Sequence, residues 1–127
     1  MHVLIIEDYP MIAAMIEGLL RDLGYTSFYC ASREDEAIEA ALVKCPDLIT
    51  ADIQLTAGNG IEAVRSTCAQ RIIPVIIIAA EVTEAERASI PKAIILPKPF
   101  SEDAFRQAIG DAILAIRRKG ATAGEEV

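Results

Sequence analysis

The chain has 127 residues, of which 53% are hydrophobic and 24% charged, and its formal net charge is −7. This length suits one folded domain, and the composition is typical of a packed globular chain. The acidic balance lacks the positive patch with which proteins hold nucleic acid, so we expect no direct binding of DNA or RNA. The longest apolar run, over residues 72–80, is too short to span a membrane, and the N-terminus carries no secretory signal. We therefore expect a cytoplasmic protein without a membrane partner.

The first third of the chain predicts two strands, each followed by a helix. An aliphatic run at residues 3–6 predicts the first strand, and Pro10 suits the first turn of the next helix. Gly24 stands where the C-terminal cap of this helix belongs. The second strand is expected at residues 26–30, and Ser32 is the expected N-cap of a second helix with acids in its first turn. The apolar faces expected for the two helices are Ile12, Met15, Ile16, Leu19 and Leu23, and Ile38, Ala41 and Leu42.

The middle of the chain repeats the alternation. A short apolar run predicts the third strand at residues 48–51, and a third helix is expected over residues 60–69. Gly60 is expected to give the backbone freedom at the turn before this helix. The fourth strand is predicted at residues 75–79. The inward residues of the third helix are expected to be Ile61, Val64 and Cys68.

The last third predicts a short helix, a strand and a long helix. Residues 83–86 read Thr-Glu-Ala-Glu, a capping box, but Pro91 limits the helix that it starts to about two turns. The fifth strand is expected at residues 93–96. The last helix is expected to begin at Ser101 and to bury Phe105, Ile109, Ala112, Ile113 and Ile116. We take residues 1–119 as one domain and expect residues 120–127, which are small and acidic, to form a disordered tail.

The strict alternation of strands and helices predicts the fold class. Three of the five strands are near-continuous aliphatic runs, which is typical of parallel strands covered on both faces. We therefore expect an α/β domain with three layers, a doubly wound (βα)5 fold of the flavodoxin-like type with a five-stranded parallel sheet.

Charged residues follow three of these strands. Glu7 and Asp8 follow the first, Asp52 follows the third, and Lys98 stands just after the fifth. Sites in parallel sheets form at the carboxyl ends of the strands, so we expect these side chains to meet there. Crowded carboxylates suit a hard cation such as Mg²⁺, and a lysine suits a phosphate anion. On this chemistry alone, Asp52 is either a metal ligand or a covalent phosphoryl acceptor.

The cysteines and the histidine are not expected to take part in this chemistry. Cys30, Cys45 and Cys68 are odd in number and have no zinc-binding spacing, so we expect reduced, mostly buried thiols. His2 lies at the entry of the first strand, far from the charged edge, where we expect a structural or frayed residue and not a catalytic one.

Over residues 1–117 the chain resembles a receiver domain of bacterial two-component signalling. The resemblance rests on a set of motifs in a fixed order: Glu7-Asp8, Asp52 with Gly60 eight positions later, the strand at residues 74–80, and Lys98-Pro99-Phe100. It implies that Asp52 accepts a phosphoryl group from a histidine kinase or a histidine phosphotransfer protein.

The resemblance also assigns roles around Asp52. It implies that Asp8, Asp52 and the backbone carbonyl of Gln54 bind Mg²⁺, with Glu7 contributing through water. Lys98 is implied to hold the acyl phosphate, and the bond from Lys98 to Pro99 is implied to be cis. Gln54 and Glu81 are at positions that flank the phosphate in receivers, where they tune its lifetime.

The chain departs from the receiver pattern at the positions that report phosphorylation. Ala79 stands where receivers carry Thr or Ser, and Ile95 stands where they commonly carry Tyr or Phe. Thr56 replaces the usual proline, and the connection over residues 81–91 is short. The chain therefore resembles an atypical receiver, in which the short fourth helix is expected to be the moving part.

The leading hypothesis is a stand-alone response regulator, since only a short tail follows residue 117. It would act through an unidentified downstream protein, a phosphorelay or a phosphate sink, and would not be an enzyme in its own right. The alternative is a degenerate receiver that binds partners without phosphorylation. A metal-dependent phosphohydrolase needs an acid where Gln54 stands, and a flavodoxin-like cofactor binder needs a phosphate loop in place of the acids after the first strand.

Overall fold

Residues 1–67 and 72–126 are described by the structure, a computed structural model, with side chains described as far as residue 116. In this part of the chain, five strands and five helices alternate: β1 (His2–Ile6), α1 (Pro10–Asp22), β2 (Ser27–Ala31), α2 (Glu34–Val43), β3 (Leu48–Ala51), α3 (Gly60–Thr67), β4 (Val75–Ala79), α4 (Glu84–Ser89), β5 (Ile94–Pro97) and α5 (Glu102–Glu126). All strand pairs are parallel and the order is β2-β1-β3-β4-β5. The predicted doubly wound, flavodoxin-like α/β fold is confirmed.

Two apolar cores lie on the two faces of the sheet. Alternate residues of β1 supply them: Leu4 and Ile6 belong to one core and Val3 and Ile5 to the other. Both faces of β1, β3 and β4 are buried, which explains why these strands are largely apolar. The chain crosses from β2 past β1 to β3, so the carboxyl ends of β1 and β3 flank the point where the strand order reverses. This is where open α/β sheets place their binding crevice.

Helix α1 ends as expected, but its buried face is rotated from the predicted one. Gly24 lies just after the C-cap residue and has a φ of 98°, a conformation that favours glycine. The buried residues of α1 are Ala13, Ile16 and Leu20, whereas the predicted Met15 and Leu23 are exposed. Apolar residues occur on more than one side of this helix, so periodicity alone did not single out the face that contacts the sheet.

The start and the outer face of α2 also differ from the prediction. The N-cap is Arg33 and not Ser32, whose backbone N–H donates instead to Glu36 Oε1 at 2.6 Å. The predicted inward residue Leu42 is 82% exposed, and the residue of α2 that is fully buried is Ala37. A small alanine at the contact lets α2 pack close to the sheet.

Helix α4 confirms the predicted capping box and the predicted brevity. The Thr83 hydroxyl oxygen accepts a hydrogen bond from the Glu86 backbone N–H at 3.1 Å, and Glu86 Oε1 accepts one from the Thr83 N–H at 2.9 Å. None of the six residues of α4, all of which are described, is buried. Short helices usually depend on tertiary packing for their stability. Because α4 buries none of its residues, its capping box is expected to contribute much of its stability.

One expectation for the remaining chain needs correction. Helix α5 is assigned as far as Glu126, and both the domain boundary at residue 119 and the disordered tail stay predictions. Cys30 and Cys45 are exposed and not buried as expected, because they lie on the edge strand and in a loop, and Cys68 is outside the described residues. No helix in the described part of the chain combines the length and apolarity needed to cross a membrane.

Candidate functional site

A cavity of about 720 Å³ opens at the carboxyl edge of the sheet. The elements that build it are the ends of β1, β3, β4 and β5, and six of the predicted site residues line it: Asp8, Asp52, Gln54, Ala79, Glu81 and Lys98. Glu7 lies beside this cavity and is 4% exposed. Ile95, by contrast, packs against the core and pairs with Ile77 of β4. The sheet therefore brings the predicted residues together with the exception of Ile95.

Three carboxylates crowd together at this edge. Glu7, Asp8 and Asp52 each offer an oxygen, and these oxygens all lie within 4.8 Å of one another. Burial raises the pKa of the Glu7 carboxyl, and the charge of Asp52 acts in the same direction. The Tyr9 backbone N–H, which donates to Glu7 Oε2 at 3.2 Å, and the Lys98 ammonium oppose this rise in pKa.

Lys98 is the cation at the centre of the site. Its Nζ lies 3.3 Å from Asp52 Oδ2 and 3.7 Å from Glu7 Oε1. The backbone supports this placement, since the Lys98 N–H donates to the Ala79 carbonyl at 3.2 Å. The bond from Lys98 to Pro99 is cis, as expected. One ammonium faces three carboxylates, so the acidic cluster keeps a surplus of negative charge when all three are ionised.

Two oxygens indicate whether the acidic cluster can bind a cation. Glu7 Oε1 and Asp8 Oδ1 are buried and have no hydrogen-bond partner in the described part of the chain. Buried oxygens without partners are costly, and a bound cation removes that cost. The donors are all carboxylate oxygens, which is the ligand type of hard divalent cations such as Mg²⁺. The residues present therefore fit such an ion.

The backbone fixes Asp52 at the end of β3. Its N–H donates to the Ile6 carbonyl at 2.9 Å, and its Oδ1 accepts a hydrogen bond from the Ile53 N–H at 2.8 Å. Gly60 packs against this turn: its N–H donates to the Ile53 carbonyl at 2.7 Å, and a Cβ on Gly60 would overlap the Asp52 carbonyl oxygen. Positive φ occurs at Gly24 and Gly58 but not at Gly60. Glycine is needed at position 60 for space, and not for the backbone freedom that we expected.

Sequence reasoning missed contacts made by four residues around the site. Thr56 donates its hydroxyl to Asp8 Oδ2 at 2.9 Å, and Glu34 accepts a hydrogen bond from the Asn59 N–H at 2.9 Å. Thr83 and Glu86, the two ends of the capping box, line the same cavity as Asp52. The sequence marked Thr56 only as a departure from proline and the capping box only as a helix start, and it gave no signal for Glu34.

The fold and the site together are those of a receiver-type α/β domain. A family model described as "Response regulator receiver domain" matches residues 3–110. The chain belongs to this family of two-component signalling domains, as the motifs predicted.

Individual relatives agree with this assignment. PdtaR, a transcriptional regulatory protein of Mycobacterium tuberculosis, is 32% identical over 128 residues, which cover 98% of this chain and 62% of that protein. The receiver domain of PhyR from Erythrobacter litoralis, solved by NMR, has a TM-score of 0.76 and 36% identity, and 89% of each chain is covered. The crystal structure of anti-anti-sigma factor PhyR from Bartonella quintana has a TM-score of 0.72 and 32% identity, over 97% of this chain and 51% of that one. The chain thus spans between half and two thirds of the length of PdtaR and of the Bartonella protein.

Proposed function

We propose that this chain is a response regulator whose Asp52 accepts a phosphoryl group from a histidine kinase or a histidine phosphotransfer protein. One observation carries the proposal: the Asp52 carboxylate lines an open cavity, with Lys98 3.3 Å from one of its oxygens and two further carboxylates within reach of a shared cation. In the transfer, an Asp52 oxygen attacks phosphorus while the P–N bond to the donor imidazole breaks. The electron pair of that bond stays on the imidazole nitrogen, and an acyl phosphate forms.

We assign Mg²⁺ binding to Glu7, Asp8, Asp52 and the backbone carbonyl of Gln54. The buried oxygens of Glu7 and Asp8 that have no hydrogen-bond partner in the described residues support this assignment. When bound, the ion neutralises charge on the phosphoryl oxygens during transfer. Gln54 is exposed beside the cavity, where its side chain, like that of Glu81, can influence access of water to the acyl phosphate.

The chain's own residues orient and neutralise the reacting group. The Ile53 N–H holds Asp52 Oδ1, which fixes the rotation of the carboxylate, and Lys98 Nζ lies beside Oδ2. An ammonium in this position can stabilise the negative charge as it spreads from the carboxylate to the phosphoryl oxygens. Because the site is built before any donor arrives, little reorganisation is needed for transfer.

The response to phosphorylation must use other contacts than the usual hydroxyl. Ala79 lines the cavity but has no hydrogen-bonding side chain, and Ile95 is packed in the core. Thr83 and Glu86 line the cavity and also cap α4, which has no buried residue. We propose that α4 is the element that responds to a phosphoryl group on Asp52.

The output is proposed to be contact with a protein and not with nucleic acid, because the chain is acidic. The names of the relatives, a transcriptional regulatory protein and an anti-anti-sigma factor, support a role in gene regulation through a downstream protein. On this proposal the chain is a regulator that works in the cytoplasm, where a kinase can reach it, and not an enzyme with a substrate of its own.

Intact-mass spectrometry tests the proposal. The parent protein, incubated with Mg²⁺ and acetyl phosphate or with a phosphorylated histidine phosphotransfer protein, should gain the mass of one phosphoryl group. Asp52→Asn should gain none, and Asp103→Asn, an exposed acid on α5, should behave as the parent. A parent that stays unmodified with both donors would favour a degenerate receiver that binds partners without phosphorylation.

A further inference from the structure

The β3–α3 connection, residues 52–59, contributes a side chain to the acidic cluster. Thr56 donates its hydroxyl hydrogen to Asp8 Oδ2 at 2.9 Å, across 48 positions of the sequence. The other oxygen of the same carboxylate, Oδ1, is buried and has no hydrogen-bond partner in the described residues. One oxygen of Asp8 is thus held by the protein, and the second is left for another ligand.

A donor on an exposed connection can orient Asp8 only if the connection is itself fixed. Glu34, the first residue of α2, supplies that anchor from both its backbone and its side chain. Its N–H donates to the Ala57 carbonyl at 3.0 Å, and its Oε1 accepts a hydrogen bond from the Asn59 N–H at 2.9 Å. The backbone between these two bonds packs tightly on the same side chain, because a Cβ on Gly58 would overlap Glu34 Cβ.

The conformation of Gly58 makes this close approach possible. Its φ is 97°, which side chains rarely adopt, so glycine serves both the turn and the contact with Glu34. The connection is therefore held on both sides of Gly58, at Ala57 and at Asn59, and the first of these contacts lies one residue beyond Thr56. Receivers with proline at position 56 stiffen this backbone covalently, whereas here the contacts with Glu34 hold it and a hydroxyl becomes available.

We propose that Thr56 is a positioning residue that holds Asp8 for Mg²⁺, and that Glu34 latches the connection that carries Thr56. Groups that hydrogen-bond to metal ligands fix their orientation, and their loss weakens metal binding. The inference rests on the proposed function only in that Asp8 is a magnesium ligand. Since the bond is at the surface, we expect a modest effect: loss of the hydroxyl should weaken Mg²⁺ binding about three- to tenfold.

Calorimetric titration of the full chain with Mg²⁺ tests the proposal. Thr56→Val, which replaces the hydroxyl by a methyl group, should weaken binding, and Thr56→Ser should restore it to within about twofold. Thr26→Val is the matched control, since Thr26 lies in the connection before β2, and it should bind as the parent. Glu34→Ala should weaken binding as well, whereas Glu34→Gln keeps an oxygen acceptor for the Asn59 N–H and should retain it.

Two further measurements separate positioning from folding and from the proposed function. The melting temperature in EDTA should be the same for Thr56→Val and Thr26→Val. If Thr56→Val melts at a lower temperature, the Mg²⁺ titration is carried out with Thr56→Ala in its place. Equal Mg²⁺ affinity of the parent and Thr56→Val would overturn the inference, and phosphorylation of the parent on Asp52 would then leave the proposed function intact. Weaker binding by Thr56→Val without any phosphorylation of the parent would uphold the inference and count against the proposed function.

Discussion

Replacing Gly60 by alanine should destabilise the protein strongly, because the new methyl group has no space. The Cβ would overlap the Asp52 carbonyl oxygen, and it would lie 2.8 Å from the carbon of the same carbonyl and 3.4 Å from Ile53 Cα. These are backbone atoms, so no side chain can rotate away, and either the end of β3 or the start of α3 must move. Overpacking a well-packed site costs about 1–3 kcal/mol, and we expect about 3 kcal/mol here.

Denaturant unfolding of Gly60→Ala against Gly18→Ala measures this cost with a matched control. Gly18 lies in the interior of α1 and is exposed, and apart from the adjacent backbone of its own helix no described atom lies within 4 Å of its Cβ position. Alanine is the better helix former, so Gly18→Ala should stabilise the protein by up to about 1 kcal/mol. The same substitution should thus have opposite signs at the two positions. A Gly60→Ala protein as stable as the parent would refute the steric reasoning about the turn that holds Asp52.

Three further predictions concern Lys98, Thr83 and His2. Lys98→Ala should slow phosphorylation about 100-fold because it removes the cation beside Asp52. Lys44→Ala, which changes a lysine at the other end of the sheet, should leave the rate unchanged. Equal phosphorylation rates for the two variants would contradict the role of Lys98. Thr83→Ala should weaken the cap of α4 by about 1 kcal/mol and speed amide exchange in that helix about fivefold, whereas Thr83→Ser should not; unchanged exchange would count against the cap. His2 has its pKa lowered by burial, with the charge of Lys44 adding to the effect, so its NMR titration midpoint should fall below 6.5. The free energy of unfolding should then decline as the pH falls from about 6.5 towards the pKa of His2 in the folded protein, because His2 of the unfolded chain takes up its proton at a higher pH. The His2→Gln variant should lack this part of the decline. A midpoint at or above 6.5 would contradict this account of His2.

The sequence was sufficient for the fold because local patterns and topology agree. The continuous aliphatic runs of β1 and β4 require cover on both faces, and helices between the strands supply that cover. The sequence also predicted that the acids and Lys98 lie close together, because parallel strands place their carboxyl ends at one edge of the sheet. The contacts of His2 agree with its interpretation as a structural residue: its ring Nδ1 lies 2.7 Å from Ser27 Oγ and its backbone N–H donates to Asp47.

The contacts that the sequence did not reveal join residues far apart in the chain. Thr56 meets Asp8, and Glu34 meets Asn59, through the packing of connections whose path no periodicity encodes. Gly60 was correctly singled out as a motif residue, but the reason given for it was wrong. The sequence does not show how closely the Asp52 carbonyl approaches Gly60, because this distance depends on how the chain turns from β3 into α3. Helix faces were predicted least well, as Met15 and Leu42 show, since exposed apolar residues share the spacing of buried ones.

The central claim is that Asp52 carries the phosphoryl group, and locating that group tests it most directly. The protein would be phosphorylated in the presence of Mg²⁺, digested, and its peptides sequenced by mass spectrometry with and without hydroxylamine, which cleaves acyl phosphates. We expect the phosphoryl group on Asp52, the residue directly after β3, and its loss on treatment with hydroxylamine. A phosphoryl group that withstands hydroxylamine, or one found on any other residue, would contradict the account.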